Sequence, residues 1–444
     1  DCSLLASIEA CILRVIGRSG KEAPFRRLCL AGCDLRDRIS SLKGVSPVRQ
    51  LPIERIQKIL TELHMDGWLL YDFHGQNPIS QRVALFPEDR FATRRWFYFV
   101  PAQGEAIGIV HAIESHHLDH LPGQKLVYAG WKEMWERLSQ ATAGAKKIAM
   151  EYSPKCNIPY VSRVDAGTVE LLTELGKNVQ SSADLVSIFE SCLTPEQADL
   201  HRQAARSTTE AKDRAFAEIR HRIMTGEKAS EYQIQQFILE QFADLGLVTS
   251  SPPIVAVDEH SGDPHYAPSA YSDREIGLAS FVLIDLWAKL DRHDGIYADF
   301  TWVGYVGPTV PERIRDIWTV VAGARDTAID FVTTRVQAGE PLRGYEVDDA
   351  ARAFILERGY GDYFFHRTGH NIGLEVHGNG THMDNFETRD ERKVLPFTAF
   401  SIEPGIYLSD FGIRSEVNML LTDGKAEVTG EPIQREVLCL IEDV

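Results

Sequence analysis

Between His366 and Glu416 the chain sets histidines, glutamates and an arginine singly among apolar and glycine residues. It reads His366-Arg-Thr-Gly-His370-Asn-Ile-Gly-Leu-Glu-Val-His377, then Ser401-Ile-Glu403-Pro-Gly-Ile-Tyr407, then Gly412-Ile-Arg414-Ser-Glu416. Upstream, Asp285 ends the apolar run Phe281-Val-Leu-Ile, and Asp299 sits inside the returning run Gly295-Ile-Tyr-Ala-Asp-Phe. A carboxylate in a buried strand is costly unless it is paired or holds a cation. One such acid is explained by a private salt bridge. Four acids on paired strands, with His370 between Gly369 and Gly373, ask for a common solution. If Asp285, Asp299, His370, Glu403 and Glu416 converge, four carboxylates and a neutral imidazole carry a charge that two divalent cations balance. Oxygen-rich donors with one nitrogen suit Mn, and also Co or Zn. Two such ions about 3.5–4 Å apart can hold a shared water and present hydroxide at neutral pH.

Composition narrows the remaining possibilities. A chain of 444 residues exceeds one ordinary core, so two domains with additions are expected. The formal charge of −17 argues against nucleic acid or an anionic membrane as partner, and no apolar run reaches the roughly 20 residues needed to span a bilayer. Residues 1–20 lack the pattern of a secretory signal. The seven cysteines do not form a disulfide framework, so a reducing cytoplasm is the expected compartment. Cys2, Cys11, Cys29 and Cys33 crowd the start at spacings too loose for a regular zinc site. Residues 1–50 carry nine Lys/Arg against five Asp/Glu, unlike the acidic remainder, and form an N-terminal extension of unclear status.

From Leu51 the pattern is regular. Ile53, Ile56, Ile59, Leu60 and Leu63 recur at helical spacing, with Gly67 as the expected cap. Strands are predicted over 68–72, 94–100, 106–110 and 147–151, and helices over 131–141 and 164–175. This makes residues 51–192 a small α/β domain. His111, His116, His117 and His120 within it read as a solvated loop face. Thr194-Pro-Glu-Gln opens a long amphipathic helix. Further helices follow near 232–242, 311–336 and 345–358. Strands are predicted over 254–257, 281–288, 297–306, 399–408, 413–421 and 437–441. Residues 194–444 therefore read as a second, α+β domain.

The ordered set Asp285, Asp299, His370, Glu403 and Glu416, with the blocks His-x2-Gly-His-x2-Gly-x3-His, Ile-Glu-Pro-Gly-Ile-Tyr and Gly-Ile-Arg-x-Glu, resembles the dinuclear metallopeptidases of the pita-bread fold. The likeness is to the aminopeptidase P and prolidase branch and covers 194–444. It implies a pita-bread catalytic domain behind a creatinase-like N-terminal α/β domain. It also implies that Asp285 holds one metal, that Asp299 and Glu416 bridge two, and that His370 and Glu403 complete the second. Glu403 doubles as general base. His265 and His377 are implied on the substrate side, His377 at the scissile carbonyl, and His366 and Arg414 in substrate binding. The implied activity is hydrolysis of Xaa-Pro peptide bonds, aminopeptidase P-like, with Xaa-Pro dipeptidase, a creatinase-like C–N hydrolase and a non-catalytic peptide-binding module as alternatives. A peptide substrate and a homodimer follow, with Asn77-Pro78 and Trp96 as residues offered to the neighbouring subunit. Three features depart from the family: the 14-residue step from Asp285 to Asp299, Gly378 after His377, and Trp302.

Overall fold

A sheet centred on the buried runs 67–72 and 96–100 organises the first half of the molecule, whose computed structural model describes residues 51–87 and 89–441. The expectations about residues 1–50 and their four cysteines lie outside the described residues. A six-stranded sheet runs in the order β4-β3-β2-β1-β5-β6. Its strands are β1 (Gly67–Asp72), β2 (Trp96–Pro101), β3 (Ile107–His111), β4 (Gln124–Tyr128), β5 (Lys147–Met150) and β6 (Asn178–Ser181). Helix α1 (Ile53–Glu62) lays Ile56 and Leu60 on it, and α2 (Trp131–Ala141) lays Met134, Leu138 and Ala141. Those spacings are the apolar stripe of a core-facing helix.

Three expectations fail here. Gly67 does not cap α1, which ends on Leu63; it begins β1, where a Cβ would meet the Phe99 ring at 2.3 Å. Nor are Asn77 and Trp96 available to a neighbouring subunit. Asn77 donates to Glu151 and Trp96 stacks on Phe86, both inside this half of the chain. The histidine cluster is also not uniformly solvated, because His117 is buried beside Glu114.

The second half opens as its sequence demands. Thr194 and Gln197 form a reciprocal capping box at the start of α3 (Pro195–Thr225), and Gly226 closes it in the left-handed region at φ +74°. The buried face of α3, with Ala204, Ala211, Ala215 and Ile219, packs with α4 (Glu231–Asp244) against one side of a sheet. That sheet holds β7 (Leu247–Val248), β8 (Ile254–Val257), β9 (Phe281–Leu290), β10 (Ala298–Tyr305) and a late strand at Leu438–Cys439. Helices α5 (Glu312–Gln337) and α6 (Gly344–Glu357) share the other large core with the C-terminal strands. Among the described residues, no strand of the first sheet pairs with a strand of the second half.

The two long C-terminal strands expected from the sequence are each broken. β11 (Asn371–Ile372) pairs with β12 (Ala399–Ile402), and the chain breaks at Glu403-Pro404 before β13 (Gly405–Tyr407). β14 (Gly412–Arg414) returns along β13, and a second break at Ser415-Glu416 precedes β15 (Val417–Thr422), which pairs with β12. The breaks lie opposite each other and hold Glu403 and Glu416. Apolar alternation continues across both, so periodicity alone did not show them.

Candidate metal centre

In the antiparallel pair β9–β10, Thr301 stands directly opposite Asp285, and Asp299 stands opposite Trp287. Residues two apart share a face of a strand, so Asp285, Asp299 and Thr301 emerge on one side. The longer connection between the strands does not disturb this register. It folds tightly around Gly295, where a Cβ would meet the Leu290 carbonyl oxygen at 2.5 Å. Glu416 is brought in by its own backbone N–H, which donates to the Thr301 carbonyl (3.2 Å). Glu403 is placed by its N–H donating to Thr368 (2.7 Å), one turn of chain from His370. Gly369 is required by close approach rather than by a turn, since a Cβ there would meet the Ser401 carbonyl oxygen at 2.0 Å. Ser401 Oγ lies 3.0 Å from both the His370 N–H and Glu403 Oε1, and joins the two segments.

The five expected ligands converge. Donor atoms of Asp299, His370 and Glu416 all lie within 4.8 Å of one another. His370 Nε2 is 3.4 Å from Asp299 Oδ2 and 3.4 Å from Glu403 Oε1. Thr301 Oγ1 lies 3.0 Å from Asp285 Oδ1 and 2.9 Å from Glu416 Oε2, and links the two acids.

Burial and mutual repulsion raise Asp299 and Glu416 well above the ordinary carboxylate range, Asp285 and Glu403 being among the repelling neighbours. Burial pushes Glu403 up to about 7 against the opposing charge of Arg414. Burial, then His377 and Arg367, hold His370 well below an ordinary imidazole, so its ring is neutral and able to donate a lone pair. Two buried oxygens, Asp299 Oδ1 and Glu416 Oε1, have no hydrogen-bond partner. Orphaned oxygens among crowded carboxylates and a neutral imidazole are what a divalent cation resolves. The donor set fits a metal.

Every site residue expected from the sequence lines one cavity of about 910 Å³: Asp285, Asp299, His370, Glu403, Glu416, His265, His377, His366 and Arg414. Their roles separate on inspection. His377 faces the cavity and packs its ring at 4.2 Å against His370, while surrounding protein lowers its pKa to about 4. His265 is exposed at the rim. His366 has both ring nitrogens occupied, at 2.7 Å from the Arg367 carbonyl and 2.7 Å from Tyr407 Oη. Nδ1 must donate to that carbonyl, so Nε2 accepts from the Tyr407 hydroxyl. Arg414 turns its Nη2 to Asp285, its Nε to Thr301 and its Nη1 to Tyr407. Burial opposes its charge, but Tyr407, Asp285, Glu403 and Glu416 more than offset this. His366 and Arg414 thus form a buttress under the carboxylates.

The departures also find their places. Trp302 points to the opposite face of β10 from Asp299 and Thr301, where Lys212 Nζ sits 3.2 Å from its ring centroid. It has no bearing on the cavity. Gly378 leaves room for Asn371, whose Oδ1 would lie 2.3 Å from a Cβ. Thr301, Tyr407, Arg367 and Tyr160 belong to the site and were not singled out from sequence. Thr301 and Tyr407 had a legible signal: both are polar groups inside the same apolar runs as the acids.

The family model of metallopeptidase family M24 matches residues 199–423. An Xaa-Pro dipeptidase of Lactobacillus delbrueckii subsp. lactis is 34% identical over 193 residues, 43% of this chain and 48% of that protein. The chain spans about half the length of the curated relatives it matches. Among solved structures, dipeptidase PepE from Mycobacterium ulcerans superposes with a TM-score of 0.65 at 21% identity, covering 87% of this chain and 96% of that one. The prolidase from Pyrococcus horikoshii gives 0.60 at 21%, covering 87% and 99%. The structural likeness fixes the architecture as the pita-bread fold. With the family match over half the chain and a ligand set that fits a metal, this protein belongs to metallopeptidase family M24.

Proposed function

We propose that the protein is an exopeptidase that hydrolyses Xaa-Pro peptide bonds with two divalent ions held by Asp285, Asp299, His370, Glu403 and Glu416. The observation that carries this reading is the pair of orphaned oxygens on Asp299 and Glu416, the two residues expected to bridge. Divalent ions there would polarise the scissile carbonyl and activate water. Mn suits four carboxylates and one imidazole best, with Co or Zn as alternatives.

The protein's own groups supply the rest. Glu403, its Oε1 fixed by Ser401, takes a proton from water and returns it to the leaving nitrogen. Neutral His377 presents an N–H to the oxyanion, and His265 closes the substrate side. Trp287, Val376, Ile254 and Pro252 give the cavity an apolar wall suited to a pyrrolidine ring. A division into an N-terminal domain, 51–192, and a catalytic domain, 194–444, belongs to the same reading, as does a cytoplasmic homodimer. The complete ligand set favours catalysis over a peptide-binding module or a creatinase-like C–N hydrolase.

The test is hydrolysis of Ala-Pro and Ala-Pro-Ala-Ala by metal-stripped protein with and without Mn²⁺. Metal-dependent cleavage at proline supports the reading. Metal binding with no cleavage of either peptide refutes it.

A further inference from the structure

We infer that Glu231 is a positioning residue for the peptidase reaction: it holds the loop after β8 in the shape that keeps His265 at the mouth of the metal cavity. This deepens the peptidase reading and rests on it. Glu231 is the first residue of α4 and is fully buried. Four donors from the chain between Val257 and Arg274 converge on its carboxylate. Oε1 accepts from the Val257 N–H (2.7 Å) and from His260 Nδ1 (2.9 Å). Oε2 accepts from the Tyr266 hydroxyl (2.6 Å) and from the Arg274 N–H (3.1 Å). The Ser272 carbonyl, 3.0 Å from the same hydroxyl, is its farther acceptor. The Glu231 backbone N–H donates in turn to the Arg274 carbonyl (3.0 Å). One carboxylate thus joins the entry, the middle and the exit of the loop.

Apolar packing does not do this work. Of the described side chains between Val257 and Ile276, the only apolar one that is buried is Pro268. Ser261 Oγ accepts from the Gly412 N–H (2.9 Å) and ties down the first turn. Arg274 pairs with Glu259 at the surface, where such a pair contributes little. Tyr266 and the return at Arg274 are left to Glu231. Tyr266 lines the cavity, and His265 precedes it in the chain at about 3.8 Å between Cα atoms. The His265 ring makes no hydrogen bond among the described residues; only its backbone N–H does, to Asp263 Oδ1 (3.0 Å). Its place is therefore set by the backbone that Tyr266 anchors. His377, lowered mainly by burial and then by Arg367, also feels His265 across the cavity. A displacement of about 1 Å in such a group can cost about a hundredfold in rate. Glu231 acts on the reaction through that sensitivity, without touching substrate.

The experiment is a double-mutant cycle between E231Q and H265A in the full-length, Mn-loaded protein. It reads kcat and KM on Ala-Pro and Ala-Pro-Ala-Ala, with bound metal measured beside them. H265A should lower kcat by about a hundredfold. E231Q should lower it by on the order of tenfold to a hundredfold, with metal content unchanged. In the H265A background E231Q should cost less than about threefold, because the group it positions is gone. Losses that multiply would overturn the proposal, since a purely structural role lowers both backgrounds alike. So would a wild-type kcat in either single variant. Should E231Q fail to fold, Y266F, which removes only the hydroxyl, goes through the same cycle and the same outcomes decide. Cleavage of neither peptide by wild type overturns the peptidase reading and this inference with it, whereas multiplying losses leave that reading standing.

Discussion

Two regions of this molecule bury glutamate at the edge of an apolar strand, and they treat it in opposite ways. Glu151, following β5, is fully buried and accepts hydrogen bonds from Trp68 Nε1 (2.8 Å), Ser182 Oγ (3.0 Å), Asn77 Nδ2 (2.8 Å) and Ser80 Oγ (2.6 Å). Glu416, between β14 and β15, is buried as well, yet Oε1 has no partner, Oε2 has only the Thr301 hydroxyl, and three other acids repel it. Four donors converging on one carboxylate make a rigid knot that ties β1, the segment holding Asn77 and Ser80, and the chain after β6 together. Four acids converging on one another make a site that is frustrated until a cation enters. The first arrangement contributes stability; the second stores instability for function.

The comparison can be broken most sharply at the base. Glu403→Gln should lower kcat on Ala-Pro by about a thousandfold while keeping most bound metal, measured by steady-state kinetics beside metal analysis. Next comes the knot. Glu151→Ala should destabilise the protein by about 3 kcal/mol or more, since four buried donors lose their acceptor, and denaturant titration would read it. Asp299→Asn should do the reverse in metal-free protein, gaining ~1–2 kcal/mol as carboxylate repulsion falls, while metal affinity is lost.

The pH dependence sharpens the contrast further. The folded state raises Glu403 from the ordinary 4.5 to about 7, so the native form holds its proton more tightly than the unfolded chain does. Raising the pH from 4.5 to 7 should therefore cost metal-free wild type stability relative to Glu403→Gln, at ~1.4 kcal/mol per unit for one such group. The buried histidines are common to both proteins and cancel in that difference. Bound Mn²⁺ should remove the slope. Smallest of all, Ser182→Ala, which takes one donor of four from Glu151, should cost about 1 kcal/mol and leave kcat unchanged.

What was legible in the sequence follows the same divide. Asp285, Asp299, Glu403 and Glu416 announced themselves because an acid inside an apolar strand has no cheap local explanation, and the glycine beside His370 marked a close approach. Glu151 stood in a similar setting and passed unnoticed. Its solution is spread over Trp68, Asn77, Ser80 and Ser182, which no local window joins. The breaks at Glu403 and Glu416 were hidden because apolar alternation runs through them. His366 and Arg414 were placed on the substrate side by the family resemblance; their hydrogen bonds to Tyr407, Thr301 and Asp285 appear only in the folded chain.

The most direct measurement is calorimetric titration of metal-stripped protein with Mn²⁺, followed by thermal unfolding of the same samples. The orphaned oxygens predict saturation at two equivalents and a rise in Tm with occupancy, both lost in Asp299→Asn. Saturation below two equivalents, or no change in Tm on binding, would contradict a dinuclear centre built on these carboxylates.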